Sequence, residues 1–327
     1  MSTETALVSV VKYHGTGNDF IIVNDTERIP DREAFARAHC DRDTGISHDT
    51  TDRRGADGVL FLSIEQQHTP IQVIMTLIQP DGSTAAMCGN GARVAAAWAA
   101  ERTGATDLMI ETPAGTQHAT LSGDTVTIEM GTPTFDPSRV PLVADRDTAF
   151  IDEQVDSLSV TAVNTGVPHA VAIVDDIDSI RLSDIAPPIR HANIFPVGAN
   201  VTLGELTGAA QFQQRTYERG VEDETQSCGT GAVAVGAVAR RLGIVDSDIP
   251  MTVRPPGGEL RVTVTPGQSA TLTGPVERAF QTELEVITES LTRSTPYSDS
   301  SSVSDSALES ENTIESSPNT PPDDVTQ

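Results

Sequence analysis

Two cysteines occupy the same short motif in the two halves of the sequence. Cys88 begins the run Cys-Gly-Asn-Gly-Ala, and Cys228 begins Cys-Gly-Thr-Gly-Ala 140 positions later. Each run precedes a segment rich in Ala and Val that is typical of a buried helix. A cysteine just before a helix sits at the positive end of the helix dipole, where its thiolate is favoured. We therefore predict two reactive thiols in a pseudo-twofold arrangement that turns both helix starts toward a shared cleft.

The glycines of the two motifs predict a binding site for a carboxylate. Glycine lets the backbone approach a ligand closely, and the free N–H groups of a first helical turn point at an anion. When an amino acid loses its α-proton, the negative charge spreads into the carboxylate, where fixed donors stabilise it. Epimerisation also needs a base on one face of the α-carbon and an acid on the other. A thiolate and a thiol from Cys88 and Cys228 would meet that need.

The sequence leaves other interpretations of the cysteines open. Cys88 and Cys228 could be small buried residues at tight helix starts, or they could form a disulfide in an oxidised, inactive state. Cys40 lacks a glycine-rich helix start, and we expect only a structural role for it. Three cysteines are too few for a disulfide framework or a four-cysteine metal site, so we expect no metal. Pyridoxal phosphate requires a lysine, and since Lys12 is the only one, we expect no cofactor.

Strand patterns dominate the sequence around the two helices. Turn-forming residues at 122–124, 255–258 and 266–267 predict antiparallel hairpins, such as 116–121 with 126–130. The predicted fold is therefore mixed α/β, of the α+β kind, with a mostly antiparallel sheet. The predicted helices span 92–103 and 232–242, and the predicted strands include 7–13, 20–24, 59–64, 72–78, 108–111, 169–174, 213–217 and 251–254.

The composition excludes several functional classes. The formal net charge of -26 arises from 47 acidic and 21 basic residues, and such a charge repels nucleic acid and anionic membranes. An acid excess with a single lysine also suggests a protein adapted to high salt, where screening weakens self-repulsion. An acidic protein from an ordinary cytoplasm is the alternative. The N-terminus resembles no signal peptide, and the longest uninterrupted apolar run, 94–100, is too short to span a bilayer, so we expect a cytoplasmic protein.

The last part of the chain, residues 289–327, changes character. Ser, Thr, Pro, Asp and Glu dominate it, and apolar residues are isolated. Such a segment cannot bury enough apolar surface to offset the entropy lost on ordering. We therefore predict a disordered acidic tail, with an interaction tail as the alternative.

Several motifs resemble the diaminopimelate epimerase family in their order and spacing. The resemblance covers roughly residues 8–285. The motifs are Lys-Tyr-His-Gly-Thr-Gly-Asn-Asp-Phe from Lys12, Gly-Ala-Asp-Gly from Gly55, Pro-Asp-Gly-Ser from Pro80, the run from Cys88 extended to Arg93, Pro168-His169, and Glu-Arg-Gly from Glu218 ahead of the run at Cys228.

This resemblance implies a fold and an activity. The fold would be two pseudo-symmetric domains, 1–132 and 133–272, each a barrel-like sheet around a central helix, with a strand at 273–288 returning to the first domain. The activity would be interconversion of LL- and meso-2,6-diaminopimelate in lysine biosynthesis, by a homodimer without a cofactor. Cys88 and Cys228 would be its two catalytic acid/base residues.

The resemblance also implies roles for residues around the cysteines. His169 and Glu218 match residues that tune the thiols, and Phe280 falls near a dimer contact. A hydrogen-bonded core histidine is the alternative for His169, and the better interpretation for His14. Implied substrate-binding residues are Asn18, Gln79, Gly89, Asn90, Asn200, Glu218, Arg219, Gly229 and Thr230.

The sequence departs from the family pattern at three places. Gln79 and Val167 stand where the pattern often has asparagine, and the stretch 218–228 is one residue longer than its commonest form. Gln79 keeps an amide but reaches further, whereas Val167 cannot replace a polar side chain. Two other functions therefore stay open: a proline or hydroxyproline racemase of the same fold, and a carboxylate-binding or thiol-redox protein without turnover.

Overall fold

The computed structural model describes residues 3–144, 146–246 and 249–289. The predicted tail lies outside these residues, except for Glu289, which ends the last strand. In chain order the first half contains β1 (Thr3–Gly15), β2 (Asn18–Asn24), α1 (Arg32–Cys40), β3 (Gly58–Glu65), β4 (Ile71–Ile78), β5 (Thr84–Ala85), α2 (Gly89–Thr103), β6 (Asp107–Thr112), β7 (Gly115–Ser122) and β8 (Thr125–Glu129).

The second half continues with a matching series of elements. They are β9 (Glu153–Val155), β10 (Leu158–Asn164), β11 (Pro168–Val174), α3 (Leu182–Arg190), β12 (Asn200–Gly208), β13 (Gln211–Glu218), β14 (Asp223–Thr225), α4 (Gly229–Arg241), β15 (Met251–Arg254), β16 (Leu260–Thr263), β17 (Thr271–Pro275) and β18 (Glu277–Glu289).

The two halves repeat one order of strand pairing. In the first, β1 pairs antiparallel with β2, β2 parallel with β3, β3 antiparallel with β4, β4 parallel with β6, and β6, β7 and β8 form an antiparallel run. In the second, β10 to β13 and β15 to β17 follow the same sequence of antiparallel and parallel pairs. The predicted fold class, with two repeated and mostly antiparallel domains, is confirmed.

Each half wraps its sheet around one apolar helix. α2 contacts seven strands of the first half, and α4 likewise contacts seven strands of the second. Because both helices are built of Ala, Val and Gly, they can be covered on nearly all sides. Both were predicted, but each begins three residues earlier than expected, since the glycine-rich motif is itself the first helical turn. Gly104, with a positive φ of 74°, ends α2.

Two antiparallel pairings join the halves. β17 pairs with β8, and β18 returns to pair with β1 along its length. One apolar core contains residues of both central helices and continues across the junction. The exact domain boundaries that we predicted remain predictions.

Two helices were not predicted from the sequence. α1 is short, with four charged or polar residues among its nine, and the side chain of Asp31 caps it by accepting a bond from the N–H of Ala34 at 2.8 Å. α3 contains Pro187 and Pro188, which ordinarily argue against a helix. Each helix packs outside its sheet over a separate small core. Over the described ranges, no helix combines the length and apolarity required to cross a membrane.

Candidate active site

The starts of α2 and α4 lie against each other. Cys88 and Cys228 are the N-cap residues, both with extended backbone, and Gly89 and Gly229 are the first helical residues. A Cβ atom built on Gly229 would lie 3.8 Å from the Cα of Gly89 and 2.8 Å from the side chain of Leu272, which also approaches Gly89. Glycine at both positions is what permits this approach. The predicted meeting of the two helix starts is confirmed.

A hydrogen-bond chain joins the two motifs through Asn90. Its amide nitrogen donates to the hydroxyl of Ser227 at 3.2 Å and to the side-chain oxygen of Asn18. Asn18 in turn donates to Asp57 at 3.1 Å. Two of the predicted substrate-binding residues therefore hold each other in place, at the line where the halves meet. Asp57 was quoted in a motif but given no role; its signal was an acid within a glycine-rich turn.

The sulfur of Cys88 accepts a hydrogen bond from the first turn of its own helix. The N–H of Gly91 donates to Sγ at 3.3 Å. Burial nevertheless raises the pKa of the thiol to about 11; the charge of Glu218 also raises it, whereas the helix N–H groups and Arg93 lower it. The expectation that the helix dipole makes a thiolate readily available is wrong for Cys88, because desolvation outweighs the first-turn donors.

Cys228 has different partners. Its Sγ lies 3.4 Å from the hydroxyl of Thr230, and no side-chain capping bond forms at this helix start. Burial raises the pKa of Cys228 well above its ordinary value, and the nearby charge of Glu218 raises it further. The same expectation is therefore wrong here too.

His169 reaches Cys228 through Thr230. Its Nε2 lies 3.1 Å from the Thr230 hydroxyl and 3.3 Å from the Asn200 amide nitrogen, while Nδ1 lies 2.9 Å from the hydroxyl of Thr202. Because the Asn200 amide can only donate, Nε2 is the acceptor and Nδ1 carries the proton. Burial, together with the charge of Arg219, lowers the pKa of His169 to about 3, so the ring is neutral at neutral pH. The imidazole thus faces the Thr230 hydroxyl, whose oxygen also lies 3.4 Å from the Cys228 sulfur.

Glu218 lies at the end of β13 and acts on both thiols. Its carboxylate accepts a bond from the hydroxyl of Thr225 at 2.8 Å. Burial raises its pKa, while bonds from Thr225 and Cys228 oppose this shift. A carboxylate whose charge raises the pKa of Cys88 and of Cys228 must lie near both sulfur atoms.

Asn200 and Arg219 are also brought together. The side-chain oxygen of Asn200 accepts from the backbone N–H of Arg219 at 2.7 Å, and Nη1 of Arg219 donates to the carbonyl of Val197 at 3.2 Å. Arg219 is only partly buried, so its guanidinium keeps donors for a ligand. The structure therefore gathers His169, Asn200 and Arg219 on one side of α4.

Gln79 and Phe280, two further predicted residues, take no part in the hydrogen bonds described above. Gln79 lies in the turn after β4, where its backbone exchanges bonds with Ser83 and Gly82 at 2.8 and 2.9 Å. Phe280, on β18, is 6% exposed, and its ring stacks on that of His48 with centroids 4.6 Å apart. The substrate role of Gln79 and the dimer role of Phe280 remain predictions.

Arg93 is a functional candidate that we quoted in a motif without assigning a role. It is completely buried, and its guanidinium donates to Asn90 Oδ1 at 2.6 Å and to the hydroxyl of Thr16 at 2.8 Å. No carboxylate lies within ion-pair distance in the part of the chain that the structure describes. A buried cation needs compensation, and burial accordingly lowers the pKa of Arg93 to about 10, while the charge of Cys88 opposes the shift. An arginine inside an otherwise apolar helix was the available sequence signal.

The ammonium group of Lys12 forms its ion pair and hydrogen bonds with residues other than the two cysteines. It is 2% exposed, pairs with Asp19 at 2.7 Å, and donates to the carbonyls of Arg53 and Gly55 at 2.9 and 2.6 Å. These three bonds use all three ammonium donors. The sole lysine of the chain is thus committed to a structural ion pair rather than presented for a Schiff base.

Known proteins with similar sequences share one description. The profile of the diaminopimelate epimerase family matches residues 10–135 and 161–279. The chain is 43% identical over 275 residues to a diaminopimelate epimerase of Methanothrix thermoacetophila, covering 81% of this chain and 91% of the relative. It is 40% identical over 289 residues to one of Methanocella arvoryzae, covering 85% and 97%.

The solved structures with a similar fold include proteins with descriptions other than diaminopimelate epimerase. A phenazine biosynthesis protein of the PhzF family from Bacillus anthracis has a TM-score of 0.59 at 16% identity, with 85% of this chain and 99% of that chain covered. A hydroxyproline epimerase from Agrobacterium vitis, with bound trans-4-hydroxy-L-proline, has a TM-score of 0.54 at 19% identity, with 87% and 92% covered. At these identities the similarity establishes the two-domain fold alone.

Proposed function

The chain belongs to the diaminopimelate epimerase family, and we propose on this basis that it interconverts LL- and meso-2,6-diaminopimelate, a step in lysine biosynthesis. The observation that carries the mechanism is the contact between two helix starts, each capped by a cysteine. Cys88 and Cys228 are the catalytic pair in this proposal. No cofactor takes part in any step that we derive.

The α-carboxylate is held between the two helix starts. Free N–H groups of Gly89 and Asn90 approach it from one side and those of Gly229 and Thr230 from the other. One thiolate removes the α-proton, and the electron pair of the broken C–H bond delocalises into the carboxylate, where these donors stabilise it. The thiol on the opposite face then donates its proton to the α-carbon. The pair ends as a thiol and a thiolate with exchanged roles, and a reaction in the reverse direction restores it.

The raised thiol pKa values suit this chemistry. An amino-acid α-proton is weakly acidic, and a thiolate of high pKa is the stronger base. The cost is a small population of thiolate at neutral pH. Glu218 lies near both sulfur atoms, with its own pKa raised by burial, and is therefore placed to exchange a proton with the pair.

Discrimination between diaminopimelate and other amino acids comes from the far end of the substrate, away from the reacting α-carbon. Diaminopimelate carries a second ammonium and a second carboxylate, and both need partners once they are desolvated. Arg219 provides a fork of donors for the carboxylate, supported by Asn18 and Asn200, with Gln79 reaching in from the turn after β4. We expect Arg219→Ala to lower kcat/KM for diaminopimelate by roughly 100-fold, since a charged partner is lost in a closed site.

The decisive experiment follows α-proton exchange in deuterated water. Purified protein is incubated with LL-diaminopimelate, L-proline and trans-4-hydroxy-L-proline, and deuterium at the α-carbon and the stereochemical outcome are measured. We expect α-proton exchange and inversion with diaminopimelate, and neither with L-proline nor with trans-4-hydroxy-L-proline. Faster inversion of proline, insensitive to Arg219→Ala, would reassign the substrate, and no exchange with any substrate would leave a binding or redox protein.

We also propose a cytoplasmic homodimer adapted to high salt. The acid excess and the single lysine support the salt adaptation, and the expected result is a higher thermal midpoint in molar potassium chloride than in dilute buffer. Light scattering after gel filtration would measure the oligomer. Phe280→Ala tests its proposed place at the dimer contact, with the midpoint recorded because this ring also packs on His48.

A further inference from the structure

One ion pair lies directly behind the proposed far end of the substrate site. Arg190 is the last residue of α3 and is 8% exposed. Its Nη2 donates to Oε1 of Glu222 at 2.8 Å. In the described ranges, Glu222 is the one carboxylate within ion-pair distance of Arg190, whose Nε has no partner there. Loss of Glu222 would therefore leave a buried guanidinium uncompensated.

Glu222 also shapes the turn that carries Glu218 and Arg219. It has a positive φ of 58°, a left-handed conformation that glycine adopts more readily. Its backbone N–H donates to the carbonyl of Glu218 at 2.8 Å, and its Oε1 accepts from the N–H of Gly220 at 3.1 Å. The side chain thus closes the turn on itself and ties it to Arg190. This is the stretch in which the sequence is one residue longer than the common family pattern.

Arg190 fastens the same turn to the loop before β12. Its guanidinium lies over Gly198, where a Cβ atom would come within 1.6 Å of Nη1. That loop provides the carbonyl of Val197 to the Arg219 side chain and leads to Asn200, which accepts from the Arg219 backbone. The loop at 190–200 and the turn at 218–222 are therefore joined on both sides of Arg219, and the Arg190–Glu222 pair is the charged connection.

We propose that Arg190 and Glu222 are positioning residues that hold the Arg219 guanidinium in the direction of the substrate's far carboxylate. This inference rests on the proposed function. Burial lowers the pKa of Arg219, and the charge of Arg190 lowers it further, while Glu222 opposes them, so both partners act on this group. With Arg190 removed, Glu222 keeps only the N–H of Gly220 at 3.1 Å and the ring of His191, whose Nε2 lies 3.6 Å from Oε2, and its carboxylate competes with the substrate for Arg219.

The experiment compares steady-state constants for diaminopimelate. Arg190→Met is expected to raise KM about tenfold and to change kcat by less than about threefold, because ground-state and transition-state binding of the far end weaken together. The double variant Arg190→Met with Glu222→Gln should show a KM between those of the parent and the single variant, since the competing carboxylate is gone but the charged connection stays broken. Asp184→Asn is the matched control: it removes the partner of Arg181 at the other end of α3, an exposed pair 3.1 Å apart, and should leave both constants unchanged.

Three outcomes would overturn the inference while the parent enzyme is active. The first is an unchanged KM in Arg190→Met. The second is a fall in kcat alone, which would show that the Arg190–Glu222 pair acts on Glu218 and the thiols. The third is a double variant whose KM is no lower than that of the single variant. Thermal midpoints accompany each assay. Should Arg190→Met fail to fold, Arg190→Lys keeps a cation without the fork of donors, and an intermediate KM is expected from it. A parent that does not turn over diaminopimelate would overturn the proposed function itself, and this inference with it.

Discussion

At the start of α2, the sulfur of Cys88 accepts a hydrogen bond from the N–H of Gly91 at 3.3 Å, whereas at the start of α4 the sulfur of Cys228 lies 3.4 Å from the hydroxyl of Thr230. The backbone of the two motifs is the same, with cysteine at the N-cap and glycine in the first turn. The surroundings are not repeated. Arg93 follows Cys88 by five positions, and the equivalent residue after Cys228 is Val233.

This difference separates the two thiols in acidity. Cys88 has a first-turn donor and a buried cation, and its pKa is raised to about 11. Burial and the bonded neighbour Glu218 raise the pKa of Cys228 well above its ordinary value, although the Thr230 hydroxyl and the N–H of Gly231 oppose this shift. The repeat thus brings two thiols together, and the neighbours outside the repeat favour loss of a proton from Cys88 before Cys228, although both thiols are protonated at neutral pH.

Removing either sulfur gives the largest expected effect. Cys88→Ser and Cys228→Ser should each lower epimerisation by roughly 1,000-fold or more, because a serine alkoxide is far harder to form than a thiolate. Turnover is followed by inversion of LL-diaminopimelate. Cys40→Ala is the control: this cysteine ends α1, and its pKa is raised to about 12 by burial. A serine variant that retains near-parental turnover would end the two-base model.

Removing the cation beside Cys88 should have the next largest effect. Arg93→Met is expected to lower kcat/KM by roughly 10- to 100-fold, the usual range for losing a charged hydrogen-bonding partner. Arg93→Lys should recover part of the loss, because it restores the charge without the paired contacts to Asn90 and Thr16. Arg102→Met, in the last turn of the same helix, is the control. If Arg93→Lys is as poor as Arg93→Met, the role of Arg93 is packing rather than charge.

A smaller effect should follow from breaking the chain at Cys228. Thr230→Val removes the hydroxyl between His169 and the thiol while keeping the shape of the side chain. We expect kcat to fall by about fivefold, the scale of one neutral hydrogen bond, and Thr230→Ser to stay close to the parent. Equal losses in the two variants would show that the methyl group, and not the hydroxyl, is what matters.

Features of the two helix starts that depend on nearby residues in the sequence were predictable. Features that depend on distant parts of the chain were not. The two Cys-Gly-x-Gly-Ala runs are local patterns, so the helices and their glycine-rich starts were predictable. α3 was missed because tertiary packing tolerates Pro187 and Pro188 in its last turns. The acidity of the thiols was also mispredicted, because the dipole is a local effect and can be inferred from a motif, whereas burial depends on the whole fold. The family resemblance implied a tuning role for Glu218, but only the folded chain brings this carboxylate near both sulfur atoms.

The finest test of the comparison is the order in which the two thiols react with iodoacetamide. Below its pKa, the thiolate fraction of a cysteine rises tenfold with each pH unit, and only the thiolate is nucleophilic. Peptide mass spectrometry between pH 7 and 11 should find Cys88 modified several-fold faster than Cys228 throughout.

Since Cys88 is also the less buried of the two, the shape of each curve of rate against pH is more informative than its height. The rate at Cys88 should rise less steeply than tenfold per pH unit as the pH approaches 11, while the rate at Cys228 keeps its full slope. Arg93→Met should restore the full slope at Cys88 up to pH 11 and leave Cys228 unchanged. If both curves shift together, the two thiols titrate as one coupled pair, and the separate surroundings of the helix starts do not set their acidity.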